Sequence, residues 1–167
     1  TDFSSVRIPE RKSGFDRLLI IPQGLTPNQV IQAYRKLNIP ILLYTEDLDS
    51  ALDWEKEERN PKNGSYAIWV RDRQEADEEL KNLSANQITE KDLITETLTE
   101  RLIHGLVYHS KTNDHLDKNN VTLCAGSRNL VGYVPCVHWS GYHSRVDVSY
   151  YNPGGSGGSL RSRQAVS

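Results

Sequence analysis

The sequence has no methionine and only two cysteines in 167 residues. Two cysteines are too few for a disulfide scaffold. No run of about 18 apolar residues occurs, which excludes a transmembrane helix. Neither sign of charge is in excess: 20 Lys plus Arg stand against 22 Asp plus Glu, a formal net charge of -2. Neither nucleic acid nor a membrane surface is therefore expected as a partner. Because methionine is missing even at position 1, the chain is expected to be a processed product or a fragment. Thr1 to Gly14 is polar and has no apolar segment, so it is not a secretory signal as it stands. A cytoplasmic location is expected, a signal removed before Thr1 being the alternative.

What is present suffices for one core. Hydrophobic residues make up 37% of the chain, with eight Tyr and three Trp, and this length suits one compact domain. The composition divides it into a polar N-terminal extension (1–15), a globular domain (16–151) and a Gly/Ser-rich stretch with a C-terminal tail (152–167).

Leu18-Leu19-Ile20-Ile21 reads as a buried strand. Thr26-Pro27 reads as a helix N-cap followed by proline at the first helical position. Val30, Ile31, Tyr34 and Leu37 give that helix an apolar face. Ile41 to Tyr44 forms a second strand, and strand, helix and strand together predict a parallel βαβ unit. An amphipathic helix is expected over Glu46 to Glu58, a third strand over Tyr66 to Val70, and a charged helix over Asp72 to Leu83, with a break at Ser84-Ala85-Asn86. The longest helix carries Ile94, Leu98, Leu102 and Leu106 at i+4, widened by Ile103 and Val107. Gly105 inside it costs roughly 1 kcal/mol against alanine, which points to a close approach there. The last third turns to period two. Val121 to Cys124 is a strand, and Val134 to Trp139 and Arg145 to Tyr151 form an antiparallel hairpin. Val146, Val148 and Tyr150 share one of its faces. The fold class expected is α/β to α+β, with a small mixed sheet, central helices and a C-terminal antiparallel hairpin.

Several blocks carry a family likeness: IPQGLT at Ile21 to Thr26, YAIWVRDRQEADEELKNLSANQI at Tyr66 to Ile88, HLDKNNVTLCAGSR at His115 to Arg128, and the terminal LRSRQAVS. In this order they resemble a group of small uncharacterised bacterial proteins. The resemblance implies a free-standing bacterial protein and carries over no site residues.

Candidate chemistry is thin. His104 and His109 are five apart, whereas zinc helices space histidines by four. His109, His115 and Asp117 meet only if the helix end folds back, so neither metal nor cofactor is expected. Cys124 precedes Ala125-Gly126-Ser127-Arg128, a turn suited to presenting N–H groups to an anion or a thiolate. A lone cysteine ending an apolar strand is more commonly a small core residue. Asp72 follows a strand end, where α/β sites collect, but it also suits a helix N-cap. Gly24 lies between strand and helix without a phosphate-loop pattern. Arg161 and Arg163, beside a flexible stretch, read as solvated. Trp139, Tyr142 and Tyr151 concentrate on the hairpin and suit a contact surface.

The function expected is a soluble, non-catalytic interaction or assembly module that binds an unknown protein partner or itself through Trp139, Tyr142 and Tyr151. The alternative is a small hydrolase or transferase with a site near Gly24, Asp72 and Cys124 to Arg128.

Overall fold

In a computed structural model, residues 3–167 are described. The first two residues of the N-terminal extension lie outside them. Eight strands and four α-helices follow one another along the chain. Strand β1 (Arg17–Ile21) leads into α1 (Pro27–Lys36), β2 (Ile41–Leu43), α2 (Leu48–Ala51) and β3 (Tyr66–Val70). Next come α3 (Ala85–Glu90), α4 (Leu98–Thr112), β4 (Val121–Leu123), β5 (Val134–Ser140), β6 (Arg145–Tyr151), β7 (Leu160–Arg161) and β8 (Ala165–Val166).

The expected class, α/β to α+β with a C-terminal antiparallel hairpin, is the class observed. The strands divide between two sheets, however, and do not form one. A three-stranded sheet has the order β1-β3-β8, and a five-stranded mixed sheet has the order β2-β6-β5-β4-β7. Strand, helix and strand do follow in order at the start of the chain. Yet β1 pairs antiparallel with β3, and β2 pairs parallel with β6, so β1 and β2 are not parallel partners. Each strand has only short apolar sequence to offer, and its partner is chosen by tertiary packing.

Helix α4 lies between the sheets. Leu98 and Leu102 are fully buried in a cluster with Val30, Ile31 and Tyr34 of α1 and with Val137, Val146 and Val148 of the hairpin. Val107 packs on the opposite side against Leu19, Ile68, Val70 and Ala165 of the three-stranded sheet. The helix starts at Leu98 and not at Ile94, because Thr97 and Glu100 form a reciprocal capping box there. The close approach expected at Gly105 is Tyr34: its ring lies over the glycine and its hydroxyl donates to the Leu102 carbonyl at 2.7 Å.

Two expected helices are largely absent. Of Glu46 to Glu58 only Leu48–Ala51 is helical. Beyond it the Asp53 and Glu58 N–H groups donate to the Arg128 and Gly126 carbonyls at 2.9 Å each, so this backbone runs along another loop. Of Asp72 to Leu83 only a 3₁₀ turn at Glu78–Leu80 remains. Its groups are bound elsewhere: the Ala76 N–H donates to Asp117, and the Glu75 carboxylate accepts from the Lys118, Asn119 and Asn120 N–H groups. At the expected break, Ser84 instead caps α3 through a box with Gln87.

Gly105→Ala is expected to lower stability by roughly 1–3 kcal/mol although alanine is the better helix former, because its methyl collides with the Tyr34 hydroxyl. Denaturant unfolding of the variant against the parent checks this; an equal or higher midpoint would show that Tyr34 moves aside freely.

Candidate binding surface

The residues with obvious chemistry are turned inward. Asp117 is fully buried and lies between two arginines that are also buried, Arg101 of α4 and Arg163 of the C-terminal tail. Arg101 donates to Asp117 Oδ2 through Nε at 3.1 Å and Nη2 at 2.9 Å, and Arg163 Nη2 donates to Oδ1 at 2.8 Å. The Thr122 hydroxyl donates to Oδ2 and accepts from both guanidinium groups. Arg163 spends its remaining donors on the Arg73 and Gln74 carbonyls. Burial pushes the Asp117 carboxyl up, but Arg163, Arg101 and Thr122 outweigh it and hold the group below its ordinary range. Next to this set His104 Nδ1 and Glu96 Oε1 lie 2.7 Å apart, both buried. Burial lowers the His104 pKa against the pull of Glu96. Arg163 is therefore a buried structural cation and not a solvated tail residue, whereas Arg161 is partly exposed and pairs with Glu78 at 3.0 Å.

The proposed chemical residues do not meet. Cys124 is fully buried in the α4 cluster, and burial drives its thiol well above the ordinary value. Cys136 is also a free, buried thiol. Asp72 caps no helix; it forms a two-point ion pair with Arg17 across the β1–β3 pair, at 2.6 and 3.2 Å. Arg128 folds back on the Ala125 and Ser127 carbonyls at the rim of a cleft of about 530 Å³ that neither Asp72 nor Cys124 lines. Gly24 holds a turn by donating to the Pro61 carbonyl. His109 and His115 do come together, as stacked rings 4.8 Å apart, and His115 stacks on Trp139 at 3.8 Å. Burial and then the His109 charge push His115 down to about 4. Asp117 is bound to its arginines, and among the described residues no group of three or more His, Cys, Asp or Glu is placed to hold a metal ion.

The hairpin aromatics are likewise dispersed. Trp139 is covered on one face by His115. Tyr142 is 93% exposed at the loop tip, where its ring meets only His143 edge-on. Tyr151 is exposed on the opposite sheet face from Val148 and lies over Gly155.

A denser aromatic surface lies at the open end of the hairpin, on the face opposite to Tyr151. Tyr150 shares the face of Val146 and Val148, as the alternation predicts, but it extends past the core. Its ring meets Tyr44 edge-on at 5.1 Å and stacks on Tyr133 at 5.4 Å. With Leu130 and Val131 these rings line a groove of about 390 Å³ that contains no charged residue. Leu130 is 67% and Val131 76% exposed. Their loop is fixed: Asn129 Oδ1 accepts from the Val131 and Tyr133 N–H groups at 3.2 and 2.9 Å, and the Leu130 N–H donates to the Ala51 carbonyl at 2.9 Å. Large apolar side chains exposed to water make this groove a candidate interaction surface. The signal in the sequence was Leu130-Val131-Gly132-Tyr133, an apolar run within a connection where polar residues are usual.

Glu57 is a buried charge of another kind. Neither of its carboxylate oxygens has a hydrogen bond. Burial pushes the carboxyl up to about 8, against a smaller opposing pull from the Ser127 hydroxyl and with reinforcement from Glu100. Between the ordinary value of 4.5 and about 8 the folded chain keeps a proton that the unfolded chain releases, so stability falls as pH rises through that window. Glu57→Gln removes this dependence. The melting temperature of the variant relative to the parent is expected to climb from pH 5 to pH 8 and then level off; a constant difference would mean that Glu57 is solvated.

Arg163→Ala strands Asp117 beside a single arginine and is expected to cost about 3–5 kcal/mol, against less than about 1 kcal/mol for Arg161→Ala at a surface pair. Equal losses in urea unfolding would refute the buried-anchor assignment. No protein-family model, curated protein or solved structure matches the chain.

Proposed function

We propose that the protein is a non-catalytic interaction module that associates with itself through the groove formed by Tyr44, Leu130, Val131, Tyr133 and Tyr150. The observation carrying this reading is an uncharged, exposed aromatic groove whose loop is held by backbone and Asn129 hydrogen bonds. Tyrosines offer large apolar area with a polar tip, which suits a surface that must be both wetted and covered. The absence of charge favours self-association, since two like surfaces meet without like-charge repulsion. In this reading the surface is centred not on Trp139, Tyr142 and Tyr151 but on Tyr150, Tyr133 and Tyr44 at the open end of the hairpin, where Tyr151 lies on the opposite face of the sheet.

Sedimentation velocity over a range of concentrations tests the proposal. The parent is expected to dimerise reversibly, and the double variant Val131→Asp, Tyr133→Ser to weaken association by about tenfold or more, equivalent to about 1.4 kcal/mol, with an unchanged thermal melt. A parent that stays monomeric throughout, or a folded variant that associates as the parent does, would overturn the reading.

A further inference from the structure

Strand β2 forms one edge of the five-stranded sheet. The Val146 N–H donates to the Pro40 carbonyl, and the Tyr44 N–H donates to the Val148 carbonyl. Hydrogen-bonding direction alternates along a strand, so Pro40, Leu42 and Tyr44 present their backbone to β6. The N–H and C=O groups of Ile41 and Leu43 face outward and pair with none of the described residues. Natural edges are blunted by shortness, lysine, proline or a bulge; β2 is short and follows Pro40, but it carries neither a charge nor a bulge. This strand is Ile41-Leu42-Leu43, and Leu42 projects from the sheet 49% exposed. It continues directly into Tyr44 of the groove.

Resting on the self-association reading above, we infer that two copies join edge to edge through β2, antiparallel about a two-fold axis at Leu42, to make one ten-stranded sheet. The register closes on itself. Ile41 of each copy lies opposite Leu43 of the other and exchanges both backbone bonds with it, giving four hydrogen bonds in all. Leu42 meets its own counterpart at a non-hydrogen-bonded position, where Cα atoms come within about 4.5 Å. Leu37, 58% exposed at the C-cap of α1, lies three residues before Pro40 at the start of this edge. The area is adequate. Leu37, Leu42, Leu130, Val131, Tyr133 and Tyr150 are all exposed apolar side chains on and beside this edge, together on the order of 600 Å² per copy at most. At that ceiling two copies exceed the roughly 1,000 Å² total that a specific interface needs.

Three measurements on the full chain test this. Leu42→Cys should give a disulfide-linked dimer under mild oxidation, because the Cα separation at that position lies in the bonding range; Lys91→Cys, on the exposed end of α3, should stay monomeric. Cys124 and Cys136 are buried and stay out of the reaction. Leu42→Lys places two like charges at the axis and should weaken association by about tenfold or more with its melt unchanged. In the parent, the Ile41 and Leu43 amides should gain protection from hydrogen exchange as concentration rises, a readout that does not depend on any variant folding. An associating parent whose Leu42→Cys variant cross-links no faster than Lys91→Cys, or whose Ile41 and Leu43 amides stay unprotected, would overturn edge pairing. The groove reading would then survive if Val131→Asp, Tyr133→Ser still weakened association. A parent that is monomeric throughout would overturn both.

Discussion

The structure depends on Asp117 and the two arginines that hold it. One carboxylate connects the central helix through Arg101, the strand β4 through Thr122, the segment after β3 through the Ala76 N–H, and the C-terminal tail through Arg163. Burying three charges and leaving any of them unpaired is among the costliest errors a fold can make. Every one of these elements must therefore be in place before any of them is stable. This constraint explains why a tail that begins with a Gly/Ser stretch is ordered, contributing β7 to one sheet and β8 to the other.

A chain with 25% charged residues ordinarily displays its charge, but here Glu96, Glu100, Arg101, Asp117 and Arg163 are all interior. Helix α4 consequently has two buried faces, an apolar one against the five-stranded sheet and a charged one against the tail. Glu100 shows how completely such groups are used. It closes the capping box at Thr97 and also accepts from Arg59 at 2.7 and 2.8 Å and from the Tyr66 hydroxyl at 2.9 Å.

Local sequence alone located the strands well. Leu18 to Ile21, Tyr66 to Val70 and the period-two hairpin each match an observed strand, because buried apolar runs and alternation follow directly from strand geometry. The Thr26-Pro27 start was also legible, as it rests on backbone chemistry within one turn, and Gly105 flagged a close approach, although only the fold shows that Tyr34 makes it. The helices expected over Glu46 to Glu58 and Asp72 to Leu83 were not, since their polar groups find better partners far along the chain. Glu75 serves a loop more than forty residues later, a distance that no window of local periodicity spans. Asp72 satisfied the rules for a helix cap and found Arg17 instead.

The sequence by itself determined where the chain extends, where it turns and which side of each strand is apolar, because these follow from the period of side chains on a backbone. Only the tertiary structure decided which strands became neighbours and which charges went inside. A parallel partner for β1 was as good locally as the antiparallel one it takes. Arg163 was locally indistinguishable from its partly exposed neighbour Arg161. Its burial depends on Asp117 and Thr122 meeting it from the opposite side, so the position of one charge is settled by the position of all the others.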